Sequence, residues 1–162
     1  MKAWGGIIFY DDKGIWVVAE YSKKTTNGLI ITDIGGTYNQ SDGNIYATIS
    51  RELSEETYHT CELTTSTIRD LYKTSNKIYN RGYDKKPDYV CLLVDLRRIN
   101  FKIDVEKLKN NRDEIIEQND DQEPYRTANM IHISYDKIAL CRNFSSRLRN
   151  ILSSPDIYKF WN

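Results

Sequence analysis

The stretch GGTYNQSDGNIYATISRELSEE, residues 35–56, decides what fold this sequence predicts. It opens on the glycine pair Gly35-Gly36 and ends in three clustered glutamates, which are Glu52, Glu55 and Glu56. On a helix, residues three and four positions apart are surface neighbours, so the three carboxylates can point toward one spot. Clustered like charges cost stability unless a cation lies among them, and carboxylate oxygens suit Mg²⁺ or Mn²⁺.

This pattern resembles the signature of the Nudix hydrolases. That signature runs glycine, five residues, glutamate, seven residues, and then Arg-Glu-aliphatic-x-Glu-Glu-x-Gly-aliphatic. Its second half is matched by Arg51, Glu52, Leu53, Glu55 and Glu56. Gly36 lies one residue too far from Arg51, which indicates a one-residue insertion in the loop. Asp42 stands about where the first glutamate would be, and Tyr58 replaces the later glycine.

The resemblance implies an α/β (α+β) fold, a Nudix-like αβα sandwich with a mixed β-sheet. With 162 residues, a single domain over 1–162 is the default. The implied activity is that of a metal-dependent pyrophosphohydrolase. It would cleave a phosphoanhydride in a nucleoside diphosphate linked to another group, X, in a nucleotide or a capped RNA.

Site residues follow from the resemblance position by position. Mg²⁺ or Mn²⁺ would be held by Glu52, Glu55, Glu56 and the carbonyl oxygen of Gly35. Either Glu52 or Glu56 would act on the attacking water. Arg51 and Gly36 would shape and orient the site. The family often adds an acid from a distant loop, for which the candidates are Asp121 and Glu123.

Substrate identity is less well determined by the sequence. Positive charge and aromatic rings near loops give these candidates for substrate binding: Lys23, Lys24, Tyr38, Lys77, Arg81, Lys85 and Lys86. A phosphorylated small molecule or an RNA cap would suit them, and so would a diphosphoinositol polyphosphate, because each is highly anionic. A third alternative is a catalytically silent Nudix fold that binds a nucleotide.

Bulk composition excludes some classes of function. The formal net charge is zero, which argues against bulk electrostatic attraction to nucleic acid or membrane. No apolar run is long enough to span a bilayer, and the first residues lack the layout of a signal peptide. Three isolated cysteines fit reduced thiols in the cytoplasm. The oligomeric state is not readable; the resembled family often forms homodimers.

Apolar periodicity predicts the elements around the motif. Strands are expected at 4–10, 15–21, 29–31, 68–73, 89–96 and 130–133, with a loop over 74–88. Helices are expected after an Asn44 cap, within 104–117 and within 137–152. Tyrosine tolerates a left-handed backbone poorly, so Tyr58 predicts that the first helix runs on or ends differently from the family's.

Overall fold

The structure, a computed structural model, describes residues 4–21, 28–81, 88–118 and 127–157. Its strands are β1 (Trp4–Tyr10), β2 (Gly14–Tyr21), β3 (Leu29–Thr32), β4 (Ile34–Gly36), β5 (Asn76–Asn80), β6 (Tyr89–Asp95) and β7 (Thr127–Ser134). Its helices are α1 (Ile45–Glu56), α2 (Thr65–Thr74), α3 (Val105–Gln118), α4 (Tyr135–Ile138) and α5 (Ser146–Leu152). The strands form one mixed sheet, and among the described strands only β1 and β6 pair in parallel.

The hairpin of β1 and β2 opens into a fork. The two strands pair only near their turn, at Phe9–Trp16 and Tyr10–Ile15. Beyond that point β4 pairs with the start of β1, and β3 pairs with the end of β2. Asp33, which connects β3 to β4, therefore lies at the fork, and its side chain is fully buried.

Helices cover both faces of the sheet, because successive side chains of a strand point to opposite sides. On β1, Ile7 and Phe9 belong to the core that also contains the inward residues of α1, α2 and α3. Ile8 belongs to the other core, with Leu148 and Ile151 of α5. The predicted αβα sandwich with a mixed sheet is confirmed. Among the described helices, none has the length and apolar character that crossing a membrane requires.

Two predicted elements near the middle of the chain were wrong. Residues 68–73, expected as a strand, lie inside helix α2. Thr64 caps this helix by accepting a hydrogen bond from the Thr67 N–H at 3.1 Å, which satisfies a backbone donor that a strand would pair elsewhere. The predicted loop over 74–88 contains β5, an edge strand whose Ile78 points into the core between polar neighbours.

The predicted C-terminal helix is divided into α4 and α5. Between them, residues around Phe144 run alongside β3, with a bridge from Ile31 to Phe144. The Ile31 N–H donates to the Asn143 carbonyl at 2.9 Å, and the Ser145 N–H donates to the Ile31 carbonyl at 2.8 Å. Phe144 packs on the same core as α5. Its position in the sequence therefore matches the apolar spacing of a helix, although this segment is not helical.

Candidate active site

The loop from β4 to α1 spans residues 37–44. It contains a 3-10 turn at Gln40–Asp42, followed by Gly43 with φ of 80°, a conformation that favours glycine. Asn44 then caps α1, its side chain accepting from the Ala47 N–H at 2.8 Å. Helix α1 thus begins where the sequence predicts, directly after the Asn44 cap.

The Arg51 side chain donates hydrogen bonds to several groups on α1 and in the loop before it. Its guanidinium pairs with both carboxylate oxygens of Asp42, at 2.8 and 3.0 Å, and donates to the Thr37 carbonyl at 2.8 Å. Its Nη1 atom donates to Glu52 Oε1 at 3.0 Å and to Glu55 Oε2 at 3.1 Å. A planar fork of donors suits several carboxylates at once, so Arg51 fixes the loop and two of the acids together.

Glu52 lies against the backbone of Gly36. A methyl group on Gly36 would come within 2.4 Å of Glu52 Oε1, so a larger residue at this position would displace the carboxylate. The Glu52 side chain is only 14% exposed. Burial raises the pKa of this carboxyl above its usual value, while the positive charge of Arg51 opposes the shift.

Glu56 is the most unusual acid of the site. Its side chain is buried, and Oε2 has no hydrogen-bond partner among the described residues. Burial raises the pKa of Glu56 well above its usual value, and the charges of Glu20 and Glu52 add to that effect. A buried carboxylate oxygen without a partner is costly, so a group that binds it from outside the chain would relieve the cost.

The structure does not bring the three glutamates of the motif to one point. Glu52 and Glu55 both accept from Arg51, and Glu52 also lies against Gly36, whereas Glu56 points inward. In the described part of the chain, no three His, Cys, Asp or Glu side chains are close enough to hold one metal ion. The oxygen donors Glu52 and Glu56 nevertheless fit a hard divalent cation by their chemistry. Metal ligation therefore stays a prediction.

Arg147, from the first turn of α5, is the residue that sequence reasoning missed. It donates to Asp33 Oδ1 at 2.8 Å and to the Gly35 carbonyl at 3.1 Å, and it stacks 4.7 Å from the Tyr89 ring. Tyr89 also donates its hydroxyl to Asp33. The signal available in the sequence was Asp33, which directly follows the apolar residues of β3. A buried carboxylate requires a partner, so this acid indicates that a basic residue lies nearby. No local pattern in the sequence identifies the basic residue that would be this partner.

Helix α1 ends at Glu56 in a left-handed turn, contrary to the expectation for Tyr58. Tyr58 has φ of 51° and His59 has φ of 62°. The Tyr58 N–H donates to the Glu55 carbonyl and the His59 N–H to the Ser54 carbonyl, which is the Schellman pattern usually built around glycine. The Tyr58 ring is buried and its hydroxyl donates to the Thr127 carbonyl, so packing offsets the strain.

Other predicted residues lie apart from the acids or outside the described residues. Tyr38 is half-buried in the loop that precedes α1. Lys77 lies on β5 and Arg81 directly after it, at the far edge of the sheet. The candidates that fall outside the described residues are Lys23, Lys24, Lys85, Lys86, Asp121 and Glu123.

Comparison with known proteins identifies solved structures of similar fold, but no match to a protein family or to a curated protein. No protein-family model matches the sequence, and no curated protein matches it significantly. Among solved structures, a bifunctional NMN adenylyltransferase/ADP ribose pyrophosphatase from Francisella tularensis matches 99% of this chain at 14% identity, with a TM-score of 0.61. The chain spans 41% of that protein's length.

Two further solved structures agree with this match. The Francisella protein complexed with AMP and a Mn ion matches 93% of this chain and 39% of its own, at 14% identity and a TM-score of 0.58. The E. coli ORF135 protein matches 100% of this chain and 95% of its own, at 10% identity and a TM-score of 0.53. Together with the seven-stranded mixed sheet between helices, these likenesses show that the chain shares the fold of these proteins.

Proposed function

We propose that this protein is a metal-dependent Nudix pyrophosphohydrolase that cleaves a phosphoanhydride in a nucleoside diphosphate linked to X. One observation carries the proposal: on the helix that follows the glycine pair, Glu56 buries an oxygen with no partner in the described chain, beside Glu52. A divalent cation would supply both the missing partner and the missing positive charge.

The residues that would hold Mg²⁺ or Mn²⁺ are Glu52, Glu56, the Gly35 carbonyl and, if it leaves Arg51, Glu55. When bound, such an ion neutralises phosphate oxygens and lowers the pKa of a coordinated water. The chain itself does the positioning. Arg51 holds the Glu52 carboxylate at 3.0 Å, and Gly36 leaves the space that this carboxylate fills. Glu52 or Glu56 then accepts the proton of the attacking water.

A nucleotide substrate is supported by the Francisella protein, whose structure holds AMP and a Mn ion. An RNA cap contains the same kind of nucleoside diphosphate linkage. A diphosphoinositol polyphosphate remains the alternative among enzymatic substrates.

A catalytically silent nucleotide-binding module is the second candidate, and two observations favour it. The Gly35 carbonyl already accepts a hydrogen bond from Arg147. The glutamates of the motif also do not form a three-ligand group within the described residues. A carbonyl oxygen has a second lone pair, so the first observation leaves room for a cation.

The deciding experiment is product analysis by mass spectrometry with Mg²⁺ or Mn²⁺. The panel contains capped RNA, nucleoside triphosphates, ADP-ribose, dinucleoside polyphosphates and a diphosphoinositol pentakisphosphate. The test variant is Glu55→Gln/Glu56→Gln, and the matched control is Glu114→Gln/Glu117→Gln on the exposed face of α3. Metal-dependent cleavage that only the test variant loses supports the hydrolase. No cleavage by a folded protein that metal and nucleotide stabilise against heat would favour the binding module.

A further inference from the structure

Positive charge is concentrated on α2 and β5, although the chain as a whole is neutral. From residue 64 to residue 81 there are four basic side chains, Arg69, Lys73, Lys77 and Arg81, and one acidic side chain, Asp70. Among the described residues, no carboxylate forms an ion pair with any of the four. The arginines of the candidate active site, by contrast, all have carboxylate partners.

Three tyrosine rings run through the same region. Tyr46 of α1 and Tyr72 of α2 meet edge to face, with ring centroids 5.3 Å apart. The Tyr72 hydroxyl lies 3.3 Å from that of Tyr79 on β5. Tyr46 and Tyr72 pack partly on the core, whereas Tyr79 is 64% exposed. The first two rings therefore anchor a row whose outer member is open to solvent.

Two of the cations lie over these rings. The Arg69 guanidinium is 5.5 Å from the Tyr46 ring centroid, and the Lys77 ammonium is 4.8 Å from that of Tyr72. The Lys77 ammonium also donates to the Tyr72 carbonyl, which fixes it beside the ring. Two cations and three rings thus lie together, and Lys73 lies one helical turn from Arg69 on α2. We call this the aromatic–basic surface, and it comprises Tyr46, Arg69, Tyr72, Lys73, Lys77 and Tyr79.

Protection of a sheet edge explains only part of this arrangement. β5 is the last strand at its end of the sheet, and lysines on such strands discourage pairing with other chains. That role accounts for Lys77. It does not account for Tyr79, because an exposed aromatic residue on an edge strand promotes association.

We propose that the aromatic–basic surface binds single-stranded nucleic acid. Phosphates would contact the unpaired cations Arg69 and Lys73, and a base would stack on the open ring of Tyr79, the two contacts on which such binding generally depends. An acidic peptide would contact the cations but would not stack on the aromatic rings. This activity goes beyond the proposed hydrolase and does not require its metal site.

Fluorescence anisotropy with a labelled 12-nucleotide single strand, in EDTA and over 50–200 mM KCl, tests the proposal on the full chain. RNA and DNA strands of one sequence form separate arms. We expect Arg69→Ala/Lys73→Ala to weaken binding and to reduce the salt slope by about 1.4, since each lost phosphate contact removes about 0.7. We expect Tyr79→Ala to weaken binding by about 10-fold with the salt slope unchanged.

Matched variants separate surface loss from general effects. Tyr79→Phe keeps the ring and should bind like the unaltered protein. Lys107→Ala/Lys109→Ala removes the same charge from exposed positions of α3 and should leave the affinity within twofold. Glu55→Gln/Glu56→Gln should also bind normally, so failure of the hydrolase would leave this result intact. Equal losses in the α3 variant, no loss in Tyr79→Ala, or equally tight binding of poly-glutamate would each overturn the proposal.

Discussion

Tyr58 shows how a single residue can hold a backbone conformation that its side chain disfavours. A left-handed backbone costs a residue with a Cβ about 1–2 kcal/mol. Tyr58 adopts it with its ring buried, its hydroxyl on the Thr127 carbonyl, and its own carbonyl accepting from Asn111 at 3.0 Å. Packing of the ring between α1, α3 and β7 therefore takes the place of glycine.

Replacing Tyr58 tests that account. Tyr58→Phe should lower the free energy of unfolding by about 1–2 kcal/mol, because the Thr127 carbonyl loses its buried donor. Tyr58→Gly should lower it by about 2–3 kcal/mol, since the lost ring outweighs the relieved strain. Urea denaturation measures both. If glycine stabilised the protein, the ring would not be what holds this turn.

His59 provides the contrasting case. It has φ of 62° and an exposed side chain, so it bears the same strain without a buried ring to offset it. His59→Gly should raise the free energy of unfolding by up to about 1 kcal/mol. A clear loss of stability in the same urea titration would instead show that the contact between His59 Nδ1 and Ser54 Oγ, at 2.7 Å, stabilises the protein by more than the strain costs.

Gly36 tests the role proposed for Glu52. Gly36→Ala places a methyl group within 2.4 Å of the present position of Glu52 Oε1, and the long side chain can move away at little cost. We expect an almost unchanged melting temperature and a loss of hydrolysis of about 100-fold, since a misplacement of about 1 Å has that effect. Gly43→Ala is the control: it meets no atom within 4 Å but is strained at φ of 80°, so it should lose stability and keep activity.

At the scale of elements, the segment between α4 and α5 ties the C-terminal region to the fork of the sheet. It runs beside β3 and places Arg147 against Asp33. Breaking a buried ion pair by removing one partner is costly, whereas replacing both partners is often nearly neutral. The pair thus makes the docking of α5 dependent on a single acid.

A double-mutant cycle measures that dependence. Arg147→Met should lower the free energy of unfolding by about 3–5 kcal/mol, because the Asp33 charge stays buried without its cation. Asp33→Asn/Arg147→Met should recover at least half of this loss, and Arg147→Lys should lose less than Arg147→Met. Additive effects of the two single changes would show that the pair does not couple.

Sequence reasoning succeeded for elements whose signals are local. The glycine pair, the Asn44 cap and the core stripe of Ile49 and Leu53 identified α1, and the fold followed from the resemblance they carry. It failed where pairing over long distance decides the structure. β5 has only Ile78 as a buried residue, and the segment at Phe144 takes its shape from β3. The position of Arg147 depends on that second pairing, so no local pattern could place it.

At the scale of the whole molecule, acids at turns contribute to the loss of stability at low pH. Burial raises the pKa of Asp11, but hydrogen bonds from the Lys13 N–H, His132 and the Gly14 N–H outweigh it and lower the pKa below its usual value. The side-chain hydrogen bond from Arg97 lowers the pKa of Asp95. A lowered pKa in the folded state contributes stability at higher pH that is lost as pH falls through it.

The metal-free protein should therefore lose stability progressively below about pH 4, where carboxylates of ordinary pKa also begin to protonate. Urea midpoints measured between pH 2 and 6 would show the decline. In Asp11→Asn the curve should be flatter over the same range and lower above it. An identical slope in this variant would mean that the hairpin turn does not contribute to acid sensitivity.

Because Asp33 is synthesised before its cation Arg147, the fork of the sheet has a consequence for the nascent chain. Their separation of 114 positions corresponds to roughly 6–23 s at about 5–20 residues per second. Within that interval the three glutamates of the motif are synthesised, all of them before Arg147. The acids thus stay hydrated, without Arg147 as a partner, until α5, the last described helix, is synthesised. A chaperone that holds the nascent protein would meet it in this unfinished form.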